Sequence, residues 1–168
     1  MKRENRKMKK KLNAKRLSEM KKEPMVLQNA VGLNLFGLPV LVVNVQGTNM
    51  LFILDSGSDE SYIDERVYEE LKDKMERVEP VGGHTIGLEG KKMQKGFGVK
   101  VKFTVGKHSF KMIFNTLPGN FSDSFDTIQK ESGYFPCGIL GMDFIGTNRL
   151  VLDFITGKIL IMKKGVAA

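Results

Sequence analysis

Alternating apolar and polar residues indicate that this chain is built mainly from β-strands. The clearest segment carries its apolar residues at every second position: Phe97, Val99, Val101, Phe103 and Val105. Gly106 and Lys107 then form a turn into a second strand over 108–114. Upstream, apolar strands over 40–46 and 50–54 flank a turn at 47–49. Many short strands with tight turns and little helix predict a small β-barrel.

Helical spacing is confined to a few segments. Residues 64–72 carry Val67, Tyr68 and Leu71 on one helical face, and Asp64 is a suitable N-cap. A short helix is possible over 124–130, inside a long segment at 116–136 that is more often a local elaboration than a binding site. Near the end, apolar runs over 149–154 and 158–162 flank Ile155-Thr156-Gly157, which is typical of a hairpin.

The strand over 50–54 leads directly into an aspartate, in the sequence Leu51-Phe52-Ile53-Leu54-Asp55-Ser56-Gly57. Asp-Ser-Gly alone is usually a surface turn, but four apolar residues before it weaken that interpretation. A carboxylate at the end of a buried strand is partly desolvated, and two such groups facing each other cannot both ionise. One then keeps its proton while the other acts as a base, which is the arrangement that activates water.

The residues after Asp55 fit this use. Ser56 can hydrogen-bond to the same loop of a second chain, and Gly57 lets the backbone pass close to the carboxylates. If the Ser58 hydroxyl reaches the outer carboxylate oxygen, it favours the charged form, and an activity profile shifted toward acid pH is expected.

A second motif follows 84 positions later (139 − 55), where Cys137-Gly138-Ile139-Leu140-Gly141 reads as an apolar strand ending in glycine, followed by a brief helical segment. With Ile53-Leu54-Asp55-Ser56-Gly57-Ser58 upstream, the chain resembles the retroviral-type aspartic proteases, the retropepsin-like family, over 31–162. The resemblance implies a mainly β fold. It is a small closed barrel with one or two short helices that forms a homodimer, in which two Asp55 side chains meet at the floor of a peptide-binding cleft.

The resemblance also implies a role for each motif residue. Asp55 is catalytic, and the residues that support its loop are Ser56, Gly57 and Ser58. The implied substrate-binding residues are Asp59, Glu60, Ile86, Gly87, Leu88, Ile139, Leu140 and Gly141. In retroviral members the first of the two acids commonly pairs with an arginine just after the second motif. Met142 holds that position here, so this pairing of Asp59 is absent or supplied from elsewhere.

The candidate flap is the glycine-rich segment 82–93, in which Ile86 and Leu88 alternate onto one face. Without the resemblance, an ordinary exposed hairpin or loop is the better interpretation. With it, the segment is a mobile flap that admits a peptide and then covers it. Only one intact Asp motif is present, because 123–125 and 131–133 break the pattern, so the site requires two chains.

Charge divides the chain into a tail and a domain. Residues 1–24 hold eleven Lys and Arg against three acids, a net charge of +8, which equals that of the whole chain (27 − 19). The remaining 144 residues are therefore formally neutral. Pro24 is the expected boundary between a tail over 1–24 and a protease domain over 25–168. The tail is expected to be disordered, although contact with nucleic acid or an anionic membrane surface is an alternative.

Other chemistry receives little support. No stretch has the apolar character of a secretory signal or the length of a membrane span. The single Cys137 cannot form an internal disulfide, which favours a cytoplasmic location, and a packing role is favoured over a bridge between subunits. The two histidines lack metal-binding context, and no phosphate-binding loop is present, so we expect no metal and no cofactor.

The sequence thus predicts a homodimeric aspartic endopeptidase that hydrolyses an extended polypeptide by attack of water, with one Asp55 from each chain. Two other functions are compatible with the sequence. One is a module that keeps the dimer and the cleft but only binds peptide. The other is an adaptor whose basic tail binds nucleic acid while the β domain dimerises.

Overall fold

The computed structural model describes residues 22–26, 38–82, 84–86, 92–116, 120–155 and 158–162. The strands are β1 Lys22–Val26, β2 Val40–Val45, β3 Thr48–Leu54, β4 Tyr62–Ile63, β5 Glu76–Val78, β6 His84–Ile86, β7 Lys92–Gln94, β8 Gly98–Val105, β9 His108–Thr116, β10 Pro136–Leu140, β11 Leu150–Asp153 and β12 Lys158–Met162. The helices are α1 Glu65–Leu71, α2 Asn120–Ser132 and α3 Met142–Thr147. A single 3₁₀ turn, Lys72–Lys74, follows α1.

Six strands form a closed barrel in the order β2-β3-β10-β4-β9-β8. The β8 strand closes the barrel, because its later part pairs with β2 at Asn44 and Thr104. The first part of the same edge of β8 pairs with β5. Two of the pairings, β3 with β10 and β4 with β9, are parallel. The fold prediction of a small closed β-barrel is therefore confirmed.

The β8–β9 hairpin shows how the alternating pattern becomes a buried face. All five of the alternating apolar residues predicted for β8 are buried, and Lys102 between them is exposed. Gly106 takes a φ of +55° at the turn. The β9 strand then continues to Thr116, two residues beyond the predicted end. Burial of this face against the other strands supplies most of the driving force for the barrel.

The β2–β3 turn lies one residue earlier than predicted. Gln46 and Gly47 form the two-residue turn, with φ of 46° and 91°, and Thr48 already belongs to β3. Two positive φ values in succession are the requirement of the type I′ turn, whose twist matches that of the flanking strands. Asn44 Oδ1 accepts a hydrogen bond from the Gly47 backbone at 3.0 Å, which holds the turn.

The helices agree with the sequence in place and differ in length. Asp64 caps α1 as predicted, since its side chain accepts from the Arg66 backbone at 2.8 Å. The α2 helix spans thirteen residues and is longer than the helix predicted over 124–130. The brief helical segment after Gly141 is α3, which is followed by the predicted hairpin of β11 and β12.

Two apolar clusters lie on opposite faces of β3. The main cluster fills the barrel and includes Phe52, Phe103, Phe114 and Leu140. The second cluster consists of four buried residues on the other face: Val40, Ile53, Phe125 and Ile139. Phe125 comes from α2, so this helix packs on the outside of the barrel.

A separate three-stranded sheet has the order β1-β12-β11. The β1 strand pairs antiparallel with β12, and Pro24 lies opposite Leu160. Pro24, the expected boundary, therefore stands inside a strand, and the last residues of the predicted tail belong to this sheet. Residues 1–21 lie outside the described part of the chain, so their predicted disorder and nucleic-acid contact stay predictions.

In the described ranges, the structure contains no helix with the length and apolar character needed to cross a membrane.

The turn at Gly47 provides a first prediction, on stability. Gly47→Ala should lower the free energy of unfolding by about 1 kcal/mol, because a Cβ is strained at positive φ. Gly146→Ala adds the same methyl group within α3, where only Met142 Cε lies nearby at 3.7 Å, and should raise stability by about 0.5 kcal/mol. Urea unfolding at one fixed protein concentration measures both. A stability gain in Gly47→Ala would contradict the turn geometry.

Cys137 provides a second prediction, on reactivity. The thiol is partly buried on β10, and burial raises its pKa above the ordinary value, with Asp64 and Glu70 adding to the effect. Because only the thiolate reacts, the rate of alkylation by iodoacetamide should rise with pH around a midpoint above that of free cysteine. Mass spectrometry measures the alkylation rate of Cys137 in the folded protein at each pH, with glutathione as the reference thiol. Equal midpoints for the two thiols would show that Cys137 is not desolvated.

Candidate active site

The parallel pairing of β3 with β10 brings the two sequence motifs side by side. Ile53 lies opposite Ile139, and Leu54 lies opposite Leu140. The Asp55 backbone N–H then donates to the Leu140 carbonyl oxygen at 3.0 Å, so the ladder continues one residue past the end of β3. Two motifs that begin to align 84 positions apart in the sequence (139 − 55) thus meet at one edge of the barrel.

The loop after β3 holds the Asp55 carboxylate by its own backbone. The Gly57 N–H donates to Asp55 Oδ1 at 2.8 Å, and the Ser58 N–H donates to the Asp55 carbonyl at 3.2 Å. A Cβ at Gly57 would lie 3.1 Å from Oδ1, so glycine permits this close approach. The N–H contact orients the carboxylate. Asp55 is partly exposed at this edge, and Ser56 and Gly57 are exposed.

Ser58 does not have the contact that was expected of it. Its hydroxyl donates to the Glu60 backbone carbonyl at 2.7 Å, within its own loop. A hydroxyl has a single proton, so this bond leaves none for the Asp55 carboxylate. Ser58 therefore shapes the turn after Asp55, and the predicted acid shift of activity loses its structural basis.

The start of α3 docks on the same loop through backbone groups. The Met142 N–H donates to the Ser58 carbonyl at 2.7 Å, and the Asp143 N–H donates to the Asp59 carbonyl at 3.1 Å. Gly141 makes this docking possible, because a Cβ there would collide with the carbonyls of Ser58 and Glu60. Gly141 thus positions the loop through its backbone. Met142 is exposed and supplies no cation for Asp59.

Asp143 and Ser61 form a buried clasp that sequence reasoning missed. The Asp143 carboxylate accepts from the Ser61 hydroxyl at 2.6 Å and from the Ser61 N–H at 3.0 Å. The Ser61 oxygen in turn accepts from the Gly141 N–H at 3.0 Å. The only signal in the sequence was an acid in the first turn of a short helix, where it is favoured by the helix dipole.

Glu60 takes part in a second network that the sequence did not indicate. Its Oε2 pairs with Lys95 Nζ and accepts from Tyr62 at 3.0 Å and from Asn115 at 3.2 Å. The Lys95 side chain is 1% exposed and that of Glu60 is 26% exposed. Such a buried lysine needs its partner, because an uncompensated charge out of water is costly.

The same network reaches the base of the candidate flap. Lys95 Nζ donates to the Val81 carbonyl at 2.6 Å, and Asn115 exchanges two hydrogen bonds with the Val81 backbone, at 2.8 and 3.0 Å. The hairpin of β6 and β7 lies between these anchors, with His84 opposite Gln94 and Ile86 opposite Lys92. The predicted hairpin is therefore present. Gly87 and Leu88 lie outside the described residues.

The apolar residues of the second motif are buried within one chain. Leu140 is 0% exposed and belongs to the main cluster, so its predicted contact with substrate is wrong for the side chain, which supports the site from the core. Ile139 is 7% exposed and faces the other way, in the second cluster. Among the described residues, no group of three or more His, Cys, Asp and Glu is arranged to hold a metal ion.

The Lys95 pair gives a prediction on stability. Glu60→Gln should lower the free energy of unfolding by about 3 kcal/mol, because it leaves the Lys95 ammonium buried without a counter-charge. Adding Lys95→Met to Glu60→Gln should recover much of this loss. Glu76→Gln, in the exposed pair with Lys100, is the matched control and should change stability far less. Chemical denaturation of these three variants and of Lys95→Met alone measures the coupling between Glu60 and Lys95, and additive losses would contradict it.

Comparison with known proteins agrees with this geometry. The Aspartyl protease family matches residues 41–144, which include both motifs and more than half of the 168-residue chain. A retropepsin-like aspartic protease from Rickettsia conorii superposes with a TM-score of 0.51 and 12% identity, over 85% of this chain and 94% of the other. The retroviral protease-like domain of Ddi1 from Leishmania major superposes with a TM-score of 0.50 and 11% identity, over 73% of this chain and 86% of the other.

A third structure, the EIAV protease in complex with the inhibitor HBY-793, gives a TM-score of 0.48 and 21% identity, over 68% and 90% of the two chains. A search of curated proteins finds no significant match. The two superpositions at 0.50 and above identify the barrel as the retropepsin-like fold. Together with the family match across both motifs, they show that this chain belongs to the aspartyl protease family.

Proposed function

We propose that this protein is an aspartic endopeptidase that acts as a homodimer. The observation that carries the proposal is the position of Asp55, at the end of β3, bonded through its backbone to Leu140 and through its carboxylate to Gly57. A carboxylate fixed this way at the barrel edge is oriented before any substrate arrives. Preorganisation of this kind lowers the cost of reaching the transition state.

In the proposed mechanism the Asp55 carboxylates of two chains share one proton. The ionised carboxylate takes a proton from water, whose oxygen attacks the peptide carbonyl carbon, while the protonated carboxylic acid gives its proton to the carbonyl oxygen. The tetrahedral intermediate then collapses. One of its hydroxyls returns its proton to the carboxylate that protonated the carbonyl oxygen, the C=O bond re-forms and the C–N bond breaks, and the leaving nitrogen receives a proton from the carboxyl group that took one from water. The proton count of the pair is restored at the end.

The second subunit is required by this chemistry. The sequence has one Asp-Ser-Gly, and the other aspartate at the end of an apolar strand, Asp153 of β11, lies in the separate three-stranded sheet. A two-fold axis close to Asp55 would supply the second carboxylate from an identical chain. The proposed role of Ser56, which is exposed beside Asp55, is to bond across that axis.

The substrate we propose is an extended polypeptide that lies between the Asp55 loop and the β6–β7 hairpin. Asp59, Glu60 and Ile86 belong to these two segments, and Gly87 and Leu88 complete the proposed flap. The network around Lys95 ties the base of the hairpin to Glu60, which would set the height of the cleft. A cytoplasmic location and a contact of residues 1–24 with nucleic acid stay predictions from the sequence.

Loss of the Asp55 carboxylate should abolish cleavage. Reduced casein is incubated across pH 3 to 8 with the wild type and with Asp55→Asn, which keeps the shape but cannot act as a base. Asp73→Asn is the matched control, because Asp73 lies in the 3₁₀ turn beside the β2–β3 hairpin, at the opposite end of β3. We expect cleavage by the wild type and the control alone. A folded dimer of wild type that cuts nothing would favour the peptide-binding module.

The two-chain site has its own test in mixed subunits. Wild type is equilibrated with a ninefold excess of Asp55→Asn, so that nearly all wild-type chains pair with inactive ones. Cleavage per wild-type chain should fall about tenfold if one site needs both carboxylates. The same excess of Asp73→Asn, which is itself active, should leave cleavage per total chain at the wild-type value. Undiminished cleavage in the first mixture would show that a single chain holds a complete site.

A further inference from the structure

One edge of the β9 strand lies open over most of its length. On one side of β9, the β8 strand pairs with it from His108 to Asn115. On the other side, β4 is only two residues long and pairs with Asn115 and Thr116 alone. Among the residues that the structure describes, the β9 edge over 109–113 therefore has no neighbouring strand.

Every second residue of this segment directs its backbone groups to the open edge. Along a strand, the N–H and C=O groups of successive residues point to opposite sides. The Asn115 N–H donates to the Ser61 carbonyl at 3.0 Å, on the side away from β8. Ser109, Lys111 and Ile113 have the same parity as Asn115, so their N–H and C=O groups face the same side. A row of such groups is a template for pairing with another chain.

A cavity of about 240 Å³ separates this edge from helix α3. One wall is β9 over 109–112, and the other is α3 together with Asn148. Its apolar side chains are those of Phe110, Met112 and Phe144, and the rings of Phe110 and Phe144 meet edge to face with centroids 5.1 Å apart. The groove therefore combines a row of backbone hydrogen-bonding groups with an apolar surface.

Asp143 also lines this cavity, and its charge is already compensated. Its carboxylate accepts from the Ser61 hydroxyl at 2.6 Å, from the Ser61 N–H at 3.0 Å and from the Phe144 N–H at 2.7 Å. Hydrogen bonds of this kind stabilise a carboxylate without a cation. Asp143 therefore does not require a basic ligand in the cavity.

The outer face of the same edge is positively charged. Lys111 lies directly opposite Lys102 of β8, and both side chains are exposed. Neither lysine forms an ion pair with a described residue, and Glu76 of β5 is paired with Lys100. Like charges directly opposite each other in a sheet are destabilising. An acidic side chain on the open side of Lys111 would reduce this repulsion.

We propose that the open edge of β9 binds an extended acidic segment of a partner protein by strand addition. The backbone of the segment pairs with Ser109, Lys111 and Ile113. Its side chains alternate between two faces, so one set places acids beside Lys111 and the other set places apolar groups in the cavity. The preferred segment thus alternates acidic and apolar residues. The residues that line the groove are not those of the proposed cleft, and the inference does not depend on cleavage.

Charge favours this occupant over two others. The tail over 1–24 holds eleven Lys and Arg against three acids, so Lys102 and Lys111 would repel it. A second copy of this chain, paired edge to edge through β9, would bring its own Lys111 to the same positively charged face. A partner segment rich in acids has the complementary charge.

A labelled peptide of alternating glutamate and valine is the probe. Fluorescence anisotropy measures its dissociation constant on the full-length Asp55→Asn protein, which cannot cut it. The same peptide with N-methylated glutamates keeps every charge but cannot pair as a strand, and it should bind on the order of tenfold more weakly. Equal affinity of the two peptides would overturn the proposal, as would absence of binding.

Ser109→Pro tests the edge from the side of the protein. Proline removes an N–H that points to the open edge and does not bond β8, and proline is tolerated at such positions. Affinity for the glutamate–valine peptide should fall on the order of tenfold, whereas Ser109→Ala, which keeps the N–H, should leave it unchanged. The two variants should have similar thermal unfolding. A large loss of stability in Ser109→Pro alone would show that another segment of this chain fills the edge, and would overturn the proposal.

Lys111→Glu tests the charge. It should lower affinity for the glutamate–valine peptide on the order of tenfold and raise affinity for a lysine–valine peptide. Lys130→Glu is the matched control, because it makes the same change of net charge at an exposed lysine of α2. Equal losses in the two variants would reduce the effect to general attraction by a basic chain and would overturn the proposal. A change of oligomeric state in Ser109→Pro with unchanged peptide affinity would assign the edge to a second copy and overturn it as well.

Discussion

The parallel pairing of β3 with β10 is the contact on which the rest of the site depends. It places Asp55 beside the end of the second motif, and it needs close backbone approaches that only glycine allows. At Gly138 a Cβ would collide with the Tyr62 carbonyl and the Phe52 ring, and at Gly141 it would collide with the loop after Asp55. Gly138 within β10 and Gly141 directly after it therefore act through the space they leave open.

Buried polar groups then fix what the strand pair brings together. Asp143 and Ser61 hold the start of α3 against the loop after Asp55 through three hydrogen bonds that include Gly141. Glu60 and Lys95 join that loop to the base of the β6–β7 hairpin. Polar groups buried in this way are stabilising only as complete sets, since removing one partner leaves another without compensation. The loop and the hairpin are consequently linked through one network, which gives the proposed cleft a defined floor and wall.

The long segment between β9 and β10 adds α2 to the small barrel without disturbing its strand order. The helix covers the outer face of β3 and β10, which would otherwise present Ile53 and Ile139 to water. Burial of such residues contributes about 1.5 to 3 kcal/mol each, so the added helix stabilises the barrel. The ion pair of Arg66 with Asp126 lies at the surface and orients the helix more than it stabilises it.

Local sequence patterns were sufficient to predict most of the strands and to locate the two motifs. Alternation identified β8, because one face of it is buried and the other is not, and the cap at Asp64 marked the start of α1. The clasp of Asp143 with Ser61 and the pair of Glu60 with Lys95 escaped notice, since each joins residues 35 or more positions apart and neither has a local signature. The sequence also assigned Leu140 to the cleft, because the burial of its side chain depends on strands distant in the chain. It assigned the Ser58 hydroxyl to the carboxylate, although that hydroxyl bonds the Glu60 carbonyl two residues away. The sequence by itself thus determined which motif residues the chain carries. Which of their side chains are buried and which lie at the edge with Asp55 was decided only by the tertiary structure, in which β10 lies between β3 and β4.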